Sequence, residues 1–388
     1  MTSLAAALAS ELSGLEAKGL RRERRVLQGP QRARVVVDGR DYLAFCSNDY
    51  LGLAAHPELV AAACAGAQRY GLGAGASHLI LGHSAAHHAL EQALARFVDL
   101  PAALFFSTGY MANLGLLTVL ASRGDAIFAD KLNHASLNDA ALLSRAQFKR
   151  YAHGDSRALE RLLESTNSNT KVIVSDTVFS MDGDLAPVEA LLELAARYDA
   201  WLVLDDAHGF GVLGAHGRGV LEHTGIRSPR IAYVGTLGKA AGVYGAFVAG
   251  EGELIEILVQ RARTYLYTTA TPPMVAHALL KSLELIAGES ARRTQLGKLI
   301  AHLRSGLHAC RWRLLPSNTP IQPLMIGDSR QAVALSARLA DRGVLVPAIR
   351  PPTVPVGTAR LRISLSADHT LADVEELVRG LLALQALP

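Results

Sequence analysis

The sequence predicts an α/β protein: a large domain on a mostly parallel seven-stranded sheet, followed by a smaller α+β domain. Three observations predict it. Between about residues 102 and 250, seven short β-rich runs alternate with Ala/Leu-rich amphipathic segments, the pattern of a parallel sheet covered by helices. Several of those runs are apolar without a period of two, as strands buried on both faces are. The chain has 388 residues, 50% hydrophobic and 19% charged, which is more than one continuous core usually holds.

Taken in order, residues 1–50 read as an N-terminal helix and a hairpin. The opening MTSLAAALASELSGLEAKGLRRERR carries no positive charge ahead of its apolar piece and has Glu11 and Glu16 close behind, so neither a secretory nor a transit peptide fits. RVVVDGRDYLAFC reads as the hairpin, with Gly39 at its turn. Residues 51–275 form the large domain, whose strands are AALFFS, AIFAD, FKRYAH, KVIVSD, WLVLDDAH, IAYVGT and GAFVAG. The long uncharged stretch from Leu100 to Ser122 is no membrane span, because Pro101, Ser107, Thr108, Gly109 and Asn113 interrupt it with groups that hydrocarbon leaves unsatisfied. It reads as strand, loop and helix. Residues 276–388 form the C-terminal α+β domain: a helical stretch to about Cys310, then IQPLMIG, a helix near Arg330 to Arg342, VLVPAIR, a Pro-rich turn, ARLRISLSA and a last helix. The N-terminal hairpin is expected to pack beside it.

Composition narrows the function. Lys and Arg exceed Asp and Glu by 39 to 35, a net charge of +4 that permits anionic ligands. The cluster Arg21, Arg22, Arg24 and Arg25 has no interleaved aromatics to stack on bases, so a nucleic-acid partner is not expected. Cys46, Cys64 and Cys310 are odd in number and widely spaced, without a CxxC pair. A reducing cytoplasm suits them, and no metal site is expected. No GKS or GKT phosphate loop and no GxSxG elbow occurs. Gly71, Gly73 and Gly75 mimic a dinucleotide loop but follow the helical LVAAACAGAQRY rather than a strand.

In open α/β sheets, ligands bind beyond the carboxyl ends of the strands. Ser180 follows KVIVSDTVF, Asp205 and His208 follow WLVL, and Lys239 follows IAYVGTLG, so these four converge on one crevice. Lys239 is one of seven lysines against thirty-two arginines and sits among small residues in TLGKAAG, which leaves room for a ligand at the amine. A desolvated lysine forms Schiff bases; an ordinary glycine-rich loop is the plain alternative. Asp205 closes a buried strand and needs a cationic partner, which a pyridinium nitrogen supplies. His208, three residues on, reaches another edge of such a ring; a strand-ending polar turn is the competing explanation. Ser107-Thr108-Gly109-Tyr110 runs from a strand into a helix start that favours a phosphate, with Thr236 near the lysine, although a simple N-cap also accounts for it. His134 in ADKLNHASL follows another strand and either lies over an aromatic cofactor or serves the structure.

With these residues placed, the chain resembles the α-oxoamine synthases, pyridoxal-phosphate enzymes of the aspartate-aminotransferase-like fold (fold type I). SNDYLGL at 47–53, FSMDGD at 179–184, DDAHGFGVLG at 205–214 and TLGKAAG at 236–242 carry the likeness, in order, over nearly the whole chain. It implies that Lys239 binds pyridoxal 5'-phosphate covalently, Asp205 keeps the pyridine nitrogen protonated, and His134 stacks on the ring. Ser180 and His208 would contact the ring oxygen, and Gly109, Tyr110 and Thr236 would help hold the cofactor. Arg362 with Asn48 would clamp an amino-acid carboxylate, while Arg21 and Thr353 match positions assigned to substrate. Within the family, AIRPPTVPVGTARLRISLSA at 348–367 favours the branch that joins L-alanine to a pimeloyl thioester, on coenzyme A (pimeloyl-CoA) or acyl carrier protein, in biotin biosynthesis. Glycine with acetyl-CoA (a glycine C-acetyltransferase) or with succinyl-CoA is the alternative. The resemblance also implies a homodimer with sites at the interface, completed near YLYTTATPP at 265–273. The loop GLGAGASHLILGH departs from the family pattern at Ala74, Ala76 and Leu81, where serine or glycine is common, which bears on acyl preference.

Overall fold

The computed structural model describes residues 3–17, 20–22 and 24–385. Its central sheet has seven strands in the order Ala102–Phe106, Ala246–Gly250, Ile231–Thr236, Ala200–Asp205, Lys171–Asp176, Ala126–Asp130, Gln147–Tyr151. All neighbours run parallel except Ala246–Gly250, which is antiparallel to both strands beside it. Successive residues of one strand enter two different cores: Ala103 and Phe105 pack on one face, Leu104 and Phe106 on the other. The absence of a two-residue period in the sequence is thereby explained, since neither face meets water. Among the described residues, no helix is long and apolar enough to cross a membrane, and Leu100–Ser122 divides into the strand Ala102–Phe106 and the helix Gly109–Leu120.

The hairpin strands Arg34–Val37 and Arg40–Ala44 turn through Asp38 and Gly39, both at positive φ (50° and 79°), a geometry that an Asp-Gly pair tolerates. Arg40–Ala44 then pairs in parallel with Val344–Leu345, so the N-terminal hairpin joins the C-terminal unit through backbone hydrogen bonds. A second small sheet orders Arg313–Leu314, Ile321–Gly327, Ala359–Ser364 and Ala348–Ile349. The expected boundary lies at residue 275. It falls inside the helix Pro273–Gly288, which packs on Pro57–Tyr70 and Ala85–Val98 of the large unit. The next helix, Ser290–Gly306, packs on Leu371–Gln385. We propose Glu289, between these two helices, as the boundary.

Candidate active site

The carboxyl ends of the parallel strands open into a cavity of about 200 Å³. Gly109, Tyr110, His134, Ser180, Asp205, His208, Thr236 and Lys239 all line it, so the structure brings together the eight residues expected around a cofactor. They arrive from the ends of five strands. Asp205 is the last residue of Ala200–Asp205, Thr236 the last of Ile231–Thr236, and Gly109 the first of the helix Gly109–Leu120.

Asp205 is buried, at 7% exposure, and among the described residues its carboxylate accepts from neutral donors alone, Asn113 Nδ2 at 2.7 Å and the Ala207 N–H at 3.0 Å. Lys239 Nζ lies 2.8 Å from His208 Nε2, and His208 Nδ1 lies 2.7 Å from the Tyr50 hydroxyl. Because Tyr50 donates to Asn48 Oδ1 at 3.1 Å, it accepts from His208 Nδ1–H, leaving Nε2 to accept from the amine. Burial, then the charges of Lys239 and Arg362, push His208 well below the usual histidine range, which keeps it neutral for this role. Burial also lowers Lys239 to about 8, against the pull of Asp205 and Asp176.

His134 caps the helix Ala135–Ser144, its Nδ1 accepting from the Ser136 N–H at 3.3 Å and lying 2.7 Å from the Ser136 hydroxyl. The residue is open to solvent by area, but its ring rests against the crevice wall, and that partial burial lowers its pKa. Thr108 caps the helix Gly109–Leu120 by accepting from the Met111 N–H at 3.1 Å, so the N-cap is real; the cavity nonetheless faces the same helix start. A Cβ built on Gly109 would meet nothing within 4 Å, which leaves open space over the N–H groups there. Tyr110 donates its hydroxyl to Asp139, and Thr236 donates to the Gly245 carbonyl at 3.2 Å.

Arg362 and Asn48 stand behind His208. Arg362 is 5% exposed, and its guanidinium donates to the Ser180 carbonyl at 2.6 Å, Ser364 Oγ at 2.8 Å and Asn48 Oδ1 at 3.3 Å. Among the described residues no carboxylate lies within 4.0 Å of it, so a buried cation stands there with neutral partners alone. Arg21 and Thr353 are brought together elsewhere, in a groove of about 1000 Å³ between the N-terminal segment and the Pro-rich turn, sharing no lining residue with the crevice.

Sequence reasoning missed Asn113, Asp176, Ser136 and Tyr50. Asp176 ends its strand as Asp205 does, so the rule that found one applied to the other; burial and then the Asp205 charge raise its pKa well above the carboxylate range. Asn113 is a 1%-exposed amide in a Leu-rich helix, and such a group demands a partner. It finds Asp205 and Ser136.

This fold and this crevice define the class: an enzyme of the aspartate-aminotransferase-like architecture whose crevice is lined by a lysine and a buried aspartate. The family model for class I and II aminotransferases matches residues 40–381. The 8-amino-7-oxononanoate synthase of Nitrosospira multiformis is 64% identical over 360 residues, covering 93% of this chain and 91% of that one. A solved structure of SPT with PLP internal aldimine superposes with a TM-score of 0.93 at 30% identity, covering 98% of each chain. The 8-amino-7-oxononanoate synthase of Francisella tularensis superposes at 0.77 with 31% identity, covering 88% of this chain and 97% of that one. The chain belongs to the class I and II aminotransferase family and, within it, to the family of the 8-amino-7-oxononanoate synthases.

Proposed function

We propose that this chain condenses L-alanine with a pimeloyl thioester to give 8-amino-7-oxononanoate, carbon dioxide and free thiol in biotin biosynthesis, using pyridoxal 5'-phosphate. The observation that carries the reading is the meeting of a lysine amine, a buried carboxylate and a neutral imidazole in one crevice, in a chain 64% identical to such a synthase.

The crevice suits that cofactor. Asp205 lacks a cation among its hydrogen-bond partners, and a protonated pyridine nitrogen is the cation its burial calls for. The open N-terminus at Gly109 and Tyr110 offers N–H groups to a phosphate. When bound, pyridoxal phosphate supplies an electron sink for charge that develops at the amino acid's Cα.

The chain's own residues do the rest. Lys239, with its pKa lowered to about 8, supplies a neutral amine that can attack an aldehyde and, once displaced by substrate, can remove and return a proton at Cα. His208 holds that amine through Nε2, and Tyr50 fixes the imidazole. Arg362, with Asn48, takes the substrate carboxylate as the anion its buried charge lacks, and so orients the Cα–H bond for cleavage. His134 and Ser180 wall the ring space. Arg21 and Thr353 line a groove able to take the acyl chain or its carrier, whether coenzyme A or acyl carrier protein.

The reading includes a homodimer in the cytoplasm. Leu79, Ile80, Leu81 and Tyr267 are exposed on two segments tied by the Ala270 N–H to the Ala76 carbonyl at 2.9 Å, an apolar surface that a second copy would cover. Competition of alanine against glycine, with pimeloyl-, acetyl- and succinyl-CoA, tests the assignment. Preferential turnover of alanine with pimeloyl-CoA is expected; preference for glycine with acetyl-CoA overturns it.

A further inference from the structure

The turn from Phe179 to Asp184 carries Ser180 into the crevice and is held from two sides. It closes on itself through the Gly183 N–H to the Phe179 carbonyl at 2.8 Å and the Phe179 N–H to the Asp184 carbonyl at 3.0 Å. From the C-terminal unit, Arg362 donates to the Ser180 carbonyl at 2.6 Å, Arg360 pairs with Asp182, and Ser317 donates to the Gly183 carbonyl at 2.8 Å. From the large sheet, one side chain among the described residues bonds to it: His153, whose Nε2 lies 2.8 Å from Asp184 Oδ2. The other nitrogen, Nδ1, lies 3.1 Å from Asp130 Oδ1, at the end of the strand Ala126–Asp130. The ring also stands edge-on to Phe179, 4.3 Å between centroids.

An ionised carboxylate only accepts, so an imidazole flanked by two of them has to carry a proton on each nitrogen. Asp130 is itself fixed, 1% exposed and accepting from the Leu132 N–H at 2.8 Å and the Gly154 N–H at 2.9 Å. Asp130 first and Asp184 second raise His153 to about 10, so the bridge is charged throughout the neutral range.

We propose that His153 is a positioning residue for amino-acid binding, a cationic brace between Asp130 and Asp184 that sets the 179–184 turn and, through the Ser180 carbonyl, the guanidinium of Arg362. This rests on the reading that Arg362 holds the substrate carboxylate. Nothing in the motif likeness points to His153, which is found only by following hydrogen bonds outward from the crevice.

The test uses the full-length holoenzyme in wild-type form and as H153Q, D184A, D184N and H153Q/D184A. Glutamine donates on one side only, and Asp184 is partly exposed, so D184A removes one arm of the brace at little risk to folding. H153Q and D184A are each expected to raise the KM for L-alanine, and its dissociation constant read from the visible absorption of the bound cofactor, about five- to tenfold. The kcat should stay within about twofold and the thioester KM should not move. D184N keeps an acceptor oxygen and should lie near wild type, and the double variant should be no worse than the worse single one. Wild-type alanine binding in both H153Q and D184A overturns the proposal, as does a loss confined to kcat or fully additive effects. Alanine binding is measured without thioester, so a wild-type enzyme that binds alanine but makes no product from pimeloyl-CoA defeats the reaction assignment and leaves the His153 comparison readable.

Discussion

Arg362 beside the crevice and Arg21 in the groove are both proposed to meet substrate, yet the fold holds them in opposite ways. Arg362 is 5% exposed, donates to Ser180, Asn48, Ser364 and Tyr50, and has no carboxylate partner among the described residues. The side chain of Arg21 is 47% exposed and already pairs with Glu16 at 2.7 Å. A buried, pre-oriented cation gives an anion strong and directional binding, whereas an exposed one is screened and contributes little. On the proposed reading, the crevice decides which bond breaks and the groove guides what arrives.

Substitutions test that contrast, beginning where the effect is largest. Lys239→Ala should abolish borohydride-fixed cofactor and lower turnover by on the order of a thousandfold or more; cofactor still fixed at another residue would break the picture of a single reactive amine. Asp205→Asn keeps the shape but removes the charge, and kcat should fall about a hundredfold with the apoprotein still folded; a kcat near wild type would deny that its charge matters. Arg362→Lys exchanges a planar fork for a point charge, so the KM for alanine should rise roughly thirtyfold while the thioester KM stays put.

A pH series sharpens the same contrast. In the proposed reaction Lys239 acts as the neutral amine, and burial brings it to about 8, below the ordinary lysine value of 10.5. Capture of pyridoxal phosphate by the apoprotein, followed by stopped-flow absorbance, should rise about tenfold per pH unit below 8 and level above it. A rate still climbing at pH 10 would mean that the amine is solvated. The smallest effect is expected in the groove: Arg21→Ala or Thr353→Ala should raise the thioester KM by about two- to fivefold and leave alanine unaffected. A loss there as large as in Arg362→Lys would erase the distinction between the two regions.

How much of this was legible beforehand follows from what each residue depends on. Lys239, Asp205, His208 and Ser180 stand just beyond recognisable apolar strands, and a parallel sheet sends all such ends to one edge. The apolar runs were readable because both faces of the sheet are covered. Asn113, Tyr50 and His153 were not readable in the same way, since each acts through a partner far along the chain: Asn113 and Asp205 are 92 residues apart, Tyr50 and His208 are 158 apart. The proposed move of the boundary to Glu289 rests on a related point. The helix Pro273–Gly288 looks like any other Ala/Leu-rich helix, and only its packing on Pro57–Tyr70 assigns it to the large unit.

The alternation of strands and helices, the place of Lys239 just beyond its strand and the kinds of chemistry at each strand end were thus determined by the sequence itself, because hydrophobic pattern and chain alternation are local properties. The proton arrangement at His208, the unpaired charge of Arg362 and the brace at His153 were decided by tertiary structure alone. Those properties arise from burial and from hydrogen-bond partners that only folding brings within 3 Å or so of one another.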